Sequence, residues 1–350
     1  MKLNEATIKH YRSEMIPTST LKKKISLNEA YLKEKPTWYE IEGKLQYFKI
    51  RNDFRLFTEL FFSKFASTIM DLPTINYDIA YVRTKRPSIP QSKEETKCGL
   101  LSVNFQTPES NHYLISELMH SEISNFIAYG GYNLEGLLRF FKDYLVQEDY
   151  SKNELYLIKL FISDAYTYHV DRNANNISVK IPKIPGVSYK DRLHPEKIKK
   201  VTTDPNFLEF DSQNSRILLK GLEPDVVFDS ERILGVDHKN VRKFSEGECW
   251  APLFPYTEDQ NFKDLTPEER KKIQDRDYFG LDPNLCALYL DHTETCKPYF
   301  ERLAYDDEYR KILEEFTKNS SAIVLGNSDL EYVENVLENR RKEFQKILKF

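Results

Sequence analysis

One stretch limits the possible folds of this chain more than any other: a long apolar lead-in that ends on a polar octapeptide. Leu155, Ile158, Phe161, Ile162 and Ala165 recur at helical spacing and run straight into His169-Val170-Asp171-Arg172-Asn173-Ala174-Asn175-Asn176. A helix with such a face packs into the interior, so its end carries an Asp and several Asn to a fixed place beside the core. Ser151-Lys152-Asn153-Glu154 reads as a capping box that opens this helix, and residues 177–181 resume as a strand. Asn and Asp also favour simple turns, so an ordinary helix-ending turn is the competing account of the octapeptide. That account does not predict the hydrophobic lead-in.

The spacing itself is His-x-Asp-x4-Asn. Phosphoryl transfer needs a carboxylate to orient an incoming hydroxyl and take its proton, and a nearby side-chain carbonyl to hold magnesium against the phosphates. Asp171 and Asn176 supply both from one loop. The same spacing marks the catalytic loop of protein-kinase-like phosphotransferases.

At 350 residues the chain has length for two lobes or two domains. With 40% hydrophobic and 30% charged residues it belongs with ordinary globular proteins, and 22 Tyr and 22 Phe supply much of the core. A net charge of −4 calls for no nucleic-acid or anionic-membrane partner. The basic runs at residues 22–24 and 197–200 read as solvated faces. Cys98, Cys249, Cys286 and Cys296 show neither C-x-x-C pairing nor zinc-ligand spacing, as reduced structural thiols would. No apolar leader follows Met1 and no stretch reaches the length of a membrane span. A cytoplasmic setting is the default expectation, with export as a bacterial effector left open.

Along the chain the hydrophobic period changes several times. Residues 24–30, 38–42, 45–50, 77–82 and 99–105 alternate as strands, with Gly43-Lys44 as a tight hairpin turn. Between them Leu56, Phe57, Leu60, Phe61, Phe65 and Ile69 line one face of a helix that Pro73 ends. Beyond Pro108 the pattern is mainly helical, with an amphipathic segment at 134–146 and a long charged helix over 329–350. Residues 216–220 read as a strand, and the polar, proline-containing stretch 182–214 as an insertion. The expected fold is therefore α+β and bilobal: a β-rich N-lobe over 1–106 and a helical C-lobe over 107–350.

A phosphotransferase loop needs a phosphate-binding lysine, a carboxylate to position it and a second metal-binding Asp. Lys49 lies on an apolar strand, Tyr47-Phe48-Lys49-Ile50, and Glu59 follows on the first helix. Asp229, after the apolar run 226–228, is the expected second metal ligand, with Asp225 the alternative. No glycine-rich phosphate loop is present, since Gly43 is the only glycine in the first ninety residues.

The order of these parts resembles the HipA-like serine/threonine kinases, including the CtkA-type branch, which lack the glycine triad. Ser19-Thr20-Leu21-Lys22-Lys23-Lys24 has the family's Ser-x4-Lys spacing, with Thr20 in place of its glycine. Residues 47–50 and 58–66 resemble the family's lysine strand and Glu-bearing helix, and 72–78 its following turn and strand. The loop resembles its Asp-Arg-His-x-x-Asn, with Asn173 for the His, and 222–229 its Leu-x-Pro-x-x-Asp segment, two residues longer. The likeness covers residues 17 to about 235.

The resemblance implies a serine/threonine protein kinase that uses ATP and Mg²⁺. In it Asp171 deprotonates the acceptor hydroxyl, Asn176 and Asp229 hold the metal, and Lys49, steadied by Glu59, meets the phosphates. Ser19 and Lys24 belong to its nucleotide loop, and the backbone near Phe105 and Gln106 meets the adenine. Arg172 orients the loop, contacts phosphate or forms a surface salt bridge, and His169 is structural. The expected partner is a protein with a Ser or Thr acceptor. Two rivals stand beside this: a lipid or small-molecule kinase of the same fold, and a pseudokinase interaction module.

Overall fold

A computed structural model describes residues 37–41, 44–50, 53–84, 95–103, 109–121, 133–228, 230, 232–235, 254–256, 281–318 and 325–349. Strands β1 (Thr37–Ile41) and β2 (Lys44–Ile50) pair antiparallel with Ile41 opposite Lys44, as the expected hairpin requires. Gly43 itself, like residues 24–30, lies outside the described residues. With β3 (Tyr77–Thr84) and β4 (Glu95–Val103) they form one antiparallel sheet ordered β1-β2-β4-β3.

Helix α1 (Asp53–Ile69) buries Leu56, Phe57, Phe61, Phe65 and Ile69, the face its 3.6-residue period predicts. Phe62 and Ala66 are buried as well, because α1 is covered on more than one side. The Phe57 ring meets Phe316 edge-on at 5.7 Å, and Arg302 donates to the Ile69 carbonyl, so the C-terminal helices hold α1 from outside.

Beyond the sheet the expectation of a mainly helical chain needs correction. After β5 (Ser110–Leu114) the chain turns into α2 (Ile115–Ser121), and β5 pairs antiparallel with β6 (Ser178–Pro182). The alternation in 110–114 is short and mostly polar, which hid it. Helix α3 (Leu134–Tyr144) is capped by Asn133, whose Oδ1 accepts from Gly136 N at 2.7 Å.

Helix α4 (Gln147–Tyr166) begins four residues before Ser151, so Ser151-Lys152-Asn153-Glu154 is not its capping box. Asn153 is fully buried mid-helix instead, its Nδ2 donating to the carbonyls of Asp149 at 2.8 Å and Leu222 at 2.9 Å. Interior demand for a donor across to residue 222 overrides the local capping signal.

The stretch 182–214 is built into the core. Ile184, Val187, Leu193, Ile198 and Leu208 are buried, around a short 3₁₀ turn (Tyr189–Asp191), α5 (Pro195–Lys199) and β7 (Leu208–Asp211). Strand β7 pairs with β8 (Arg216–Leu219), and β9 (Glu223–Pro224) returns to pair with β6.

Helices α6 (Pro283–Asp291), α7 (Thr293–Tyr305), α8 (Glu308–Lys318) and α9 (Asn327–Leu348) complete the chain. On the last helix, Val333, Val336, Leu337 and Phe344 are buried, while Leu330 and Leu348 are partly buried. Helix α9 packs beneath α4: Phe344 meets Tyr166 edge-on at 5.4 Å, and Arg340 Nε donates to the Ala165 carbonyl at 2.7 Å. Burying a side chain such as Phe344 stabilises by about 1.5–3 kcal/mol. Among the described residues no helix is long and apolar enough to cross a membrane.

Arg340 also pairs with Glu343, and Glu343 Oε1 accepts from the Asp282 backbone N–H at 2.7 Å. Asp282, fully buried, caps α6 through Leu285 N at 3.0 Å. Burial, and then the Glu343 carboxylate, push its carboxyl up to about 7. The folded chain therefore holds more protons here than the unfolded chain, whose Asp titrates near pH ~4. The stability from this group is complete below that value and is lost as pH rises through about 7. Asp282→Asn keeps the cap oxygen without the titration. The variant's melting temperature should gain on the wild type's between pH 5 and pH 8 (on the order of the folded and unfolded values). Parallel pH profiles in thermal unfolding would refute this.

Candidate active site

Helix α4 ends in a Schellman turn: His169 N donates to Asp164 O at 2.8 Å and Tyr168 N to Ala165 O at 3.3 Å. The left-handed residue of that turn, where glycine is usual, is Tyr168 with φ 53°. Such strain persists only where the surroundings over-determine it, and they do here. Arg340 lies over the Tyr168 ring at 5.8 Å, Gly235 N donates to Tyr168 O at 3.1 Å, and Leu234 N donates to Thr167 O at 2.7 Å.

The chain is thereby aimed so that residues 169–176 wrap back on themselves. His169, fully buried, accepts the Asp171 N–H on Nδ1 at 3.0 Å and packs edge-on to Phe62 at 6.0 Å, which makes it structural as expected. Asn176 Nδ2 donates to the Asp171 carbonyl at 2.8 Å, tying together the loop's two candidate residues. Asn173 Oδ1 accepts from Asn175 N at 2.9 Å, and Ser116 N donates to Ala174 O at 2.9 Å from the α2 side.

Arg172 points inward, so neither a surface salt bridge nor a phosphate contact describes it. It is 3% exposed, and its guanidinium grips Asp164 through Nε at 2.9 Å and Nη2 at 3.1 Å. It donates as well to the carbonyls of Asn176 at 3.1 Å and Phe228 at 2.9 Å, and to Ser230 Oγ at 2.9 Å. Burial pushes the Asp164 carboxyl above its ordinary value, and the adjoining guanidinium pulls it back. Asp164 was missed by the sequence reading; its only signal is a charged residue inside the apolar run 160–165.

From the sheet side, Lys49 Nζ and Glu59 Oε2 form a buried pair at 3.0 Å, as the sequence led us to expect. Glu59 Oε1 accepts from Tyr77 Oη at 2.8 Å and from the Ser230 backbone N–H at 3.2 Å. Ser230 is thus the meeting point: its N–H binds Glu59 and its hydroxyl binds Arg172. The preceding segment is fixed against the turn after α1, with Val227 N donating to Pro73 O at 2.7 Å.

Asp229 lies outside the described residues, as do Ser19, Lys24, Phe105 and Gln106. Its rival Asp225 is buried and engaged: Oδ2 lies 2.6 Å from His112 Nδ1 and accepts from Ser178 Oγ at 3.0 Å, while Oδ1 accepts from Val226 N at 2.9 Å. Those contacts pin β9 to β5 and β6 and give Asp225 a structural task. Among the described residues no cluster of three or more His, Cys, Asp or Glu could hold a metal unaided. Asn176 Nδ2 is committed to the loop, which leaves its Oδ1 as an acceptor.

The Arg172–Asp164 pair is the part whose loss leaves an uncompensated buried charge. Arg172→Met should cost about 3–5 kcal/mol in urea unfolding. Adding Asp164→Asn should recover part of that loss, since the pair then goes as a unit. Additive losses in the double variant would show that the two do not act as a pair.

No protein-family model and no curated protein matches this chain. Solved structures do. The Helicobacter pylori proinflammatory kinase CtkA is similar over 93% of this chain and 98% of its own, at 9% identity and a TM-score of 0.43. The Shewanella oneidensis MR-1 toxin–antitoxin complex of HipA, HipB and operator DNA contains a chain similar over 99% of this one and 71% of its own, at 11% identity and a TM-score of 0.44.

Proposed function

We propose that the chain is an ATP-dependent phosphotransferase of HipA-like type that phosphorylates a serine or threonine hydroxyl of a protein. The observation that carries this is the double hold on Ser230, 171 positions from Glu59 along the sequence. Glu59 reaches it from beneath Lys49, and Arg172 reaches it from the Asp171–Asn176 loop. A lysine–glutamate pair and an Asp/Asn loop brought against one segment is the arrangement phosphoryl transfer needs, because catalysis there is almost wholly positioning and charge stabilisation.

In this reading the sheet and α1, residues 1–106, form the nucleotide-binding lobe, and residues 107–350 the lobe that carries the loop. Lys49, held straight by Glu59, donates to the phosphates of ATP. Ser19 and Lys24 cover them, and the backbone at Phe105 and Gln106 meets the adenine. Asp171 orients the acceptor hydroxyl and accepts its proton.

Magnesium bound to a nucleotide keeps several waters and phosphate oxygens and takes only one or two protein ligands. Asn176 Oδ1, left as an acceptor while Nδ2 is committed to the loop, fits that need, and the sequence offers Asp229 as the second donor. The ion would supply charge neutralisation at the phosphates. Asp225, with both oxygens occupied, is left to its structural contacts.

Asp171→Asn should lower phosphate transfer from radiolabelled ATP by about 10²–10⁴-fold. Mg-ATP should still raise the variant's melting temperature as it does the wild type's. Equal transfer by wild type and variant would remove Asp171 from the mechanism. Mass spectrometry after incubation with Mg-ATP and lysate reads the acceptor. Phosphate found only on small molecules would overturn the protein-substrate assignment while leaving the phosphotransferase intact.

A further inference from the structure

One cation beside Asp171 has no part in the roles assigned above. Arg232 Nη1 lies 2.7 Å from Asp171 Oδ2, on the segment that follows Ser230. Its backbone is seated against the loop: Val170 N donates to Arg232 O at 3.1 Å, and the next residues bind Thr167 O and Tyr168 O. Ile233 and Leu234 are fully buried, and Tyr332 Oη donates to Leu234 O at 2.6 Å, so the arginine projects from a fixed base. The two side chains stay partly open to solvent, at 28% for Arg232 and 18% for Asp171. Among the described residues Arg232 Nε is buried with no hydrogen-bond acceptor.

Phosphoryl transfer gathers negative charge on the equatorial oxygens of the moving group, next to a base that is itself an anion. The loop's own cation cannot answer this, since every nitrogen of the Arg172 guanidinium is directed into the interior. Lys49 is held on the other side by Glu59. Arg232 faces the carboxylate that receives the acceptor. A guanidinium presents five donors in a fork, so it can hold one carboxylate oxygen and still offer N–H groups to an oxyanion.

Resting on the kinase reading, we propose that Arg232 is a catalytic residue that binds the phosphoryl group in flight and holds Asp171 in line with it. The acceptor oxygen forms its bond to the γ-phosphorus as the bond from that phosphorus to the β,γ-bridging oxygen breaks. The hydroxyl proton passes to Asp171 and ADP leaves with the bridging oxygen. Arg232 remains protonated throughout and donates to the equatorial oxygens.

The test compares wild type, Arg232→Ala and the longer Arg232→Gln by transfer kinetics and by binding of Mg-ADP with and without aluminium fluoride, a mimic of the flying phosphoryl. Loss of one such donor should lower kcat by about 10²–10³-fold. The KM for ATP should stay within about threefold, because this interaction is made in the transition state rather than the ground state. Aluminium fluoride should tighten Mg-ADP binding in the wild type and much less in the variants. Unchanged or increased kcat would overturn the proposal, an increase marking Arg232 as a gate over Asp171. Equal tightening in all three proteins, or loss of fold in both variants, would also overturn it. A wild type that neither binds Mg-ATP nor transfers phosphate overturns the kinase reading, and this proposal with it. A transferring wild type matched by its variants overturns the proposal alone.

Discussion

The site depends on one buried guanidinium. Arg172 is shut away from water and takes a bidentate carboxylate from the helix that precedes it, a carbonyl from the far end of its own loop, and two groups from the segment 228–230. Each partner is of little use without the others. Asp164 would be an isolated charge in the core, and burying such a charge unpaired costs several kcal/mol. One planar group with a fixed fork of donors therefore sets the distance between the end of α4, the loop and the segment that enters the sheet side.

The second constraint acts on backbone shape. A left-handed tyrosine at position 168 is unfavourable alone, and α9 and residues 232–235 jointly impose it. The two longest helices described, α4 and α9, are thus joined to the loop's exit angle by polar contacts as well as by packing. Helix α1 is also held from outside by Arg302 and Phe316, so the Lys49–Glu59 pair rests on an element that the rest of the chain keeps in place. These supports fix the groups of the candidate site relative to one another.

The sequence was a good guide wherever a pattern was long. The α1 face and the long last helix were legible because an amphipathic period repeated over three or more turns leaves few alternatives. The apolar run of α4 marked a buried helix, but Leu155, expected on its buried face, is exposed, and residues 156–166 are buried on every side because neighbours cover the helix all round. It misled where the signal was local. Ser151 to Glu154 has the letters of a capping box, but the apolar and polar demands of the interior carry α4 through it. Residues 110–114 are too short and too polar to read as a strand, and they become one because β6 offers a partner. Residues 182–214 look like a solvated insertion because their apolar side chains are spread singly among polar ones, yet five of them reach the core.

What the chain's letters determined by themselves were the periods, the loop spacing and the order Lys49, Glu59, Asp171, Asn176, since covalent order and side-chain chemistry need no fold to be read. Which carboxylates stand near which cations was decided only by the tertiary structure. Asp164 and Arg172 are eight residues apart, Glu59 and Ser230 are 171 apart, and Arg232 reaches Asp171 across sixty-one positions. No local pattern announces such pairs, because a charge is stabilised by whatever packing brings within a few ångströms of it, and that is a property of the whole chain.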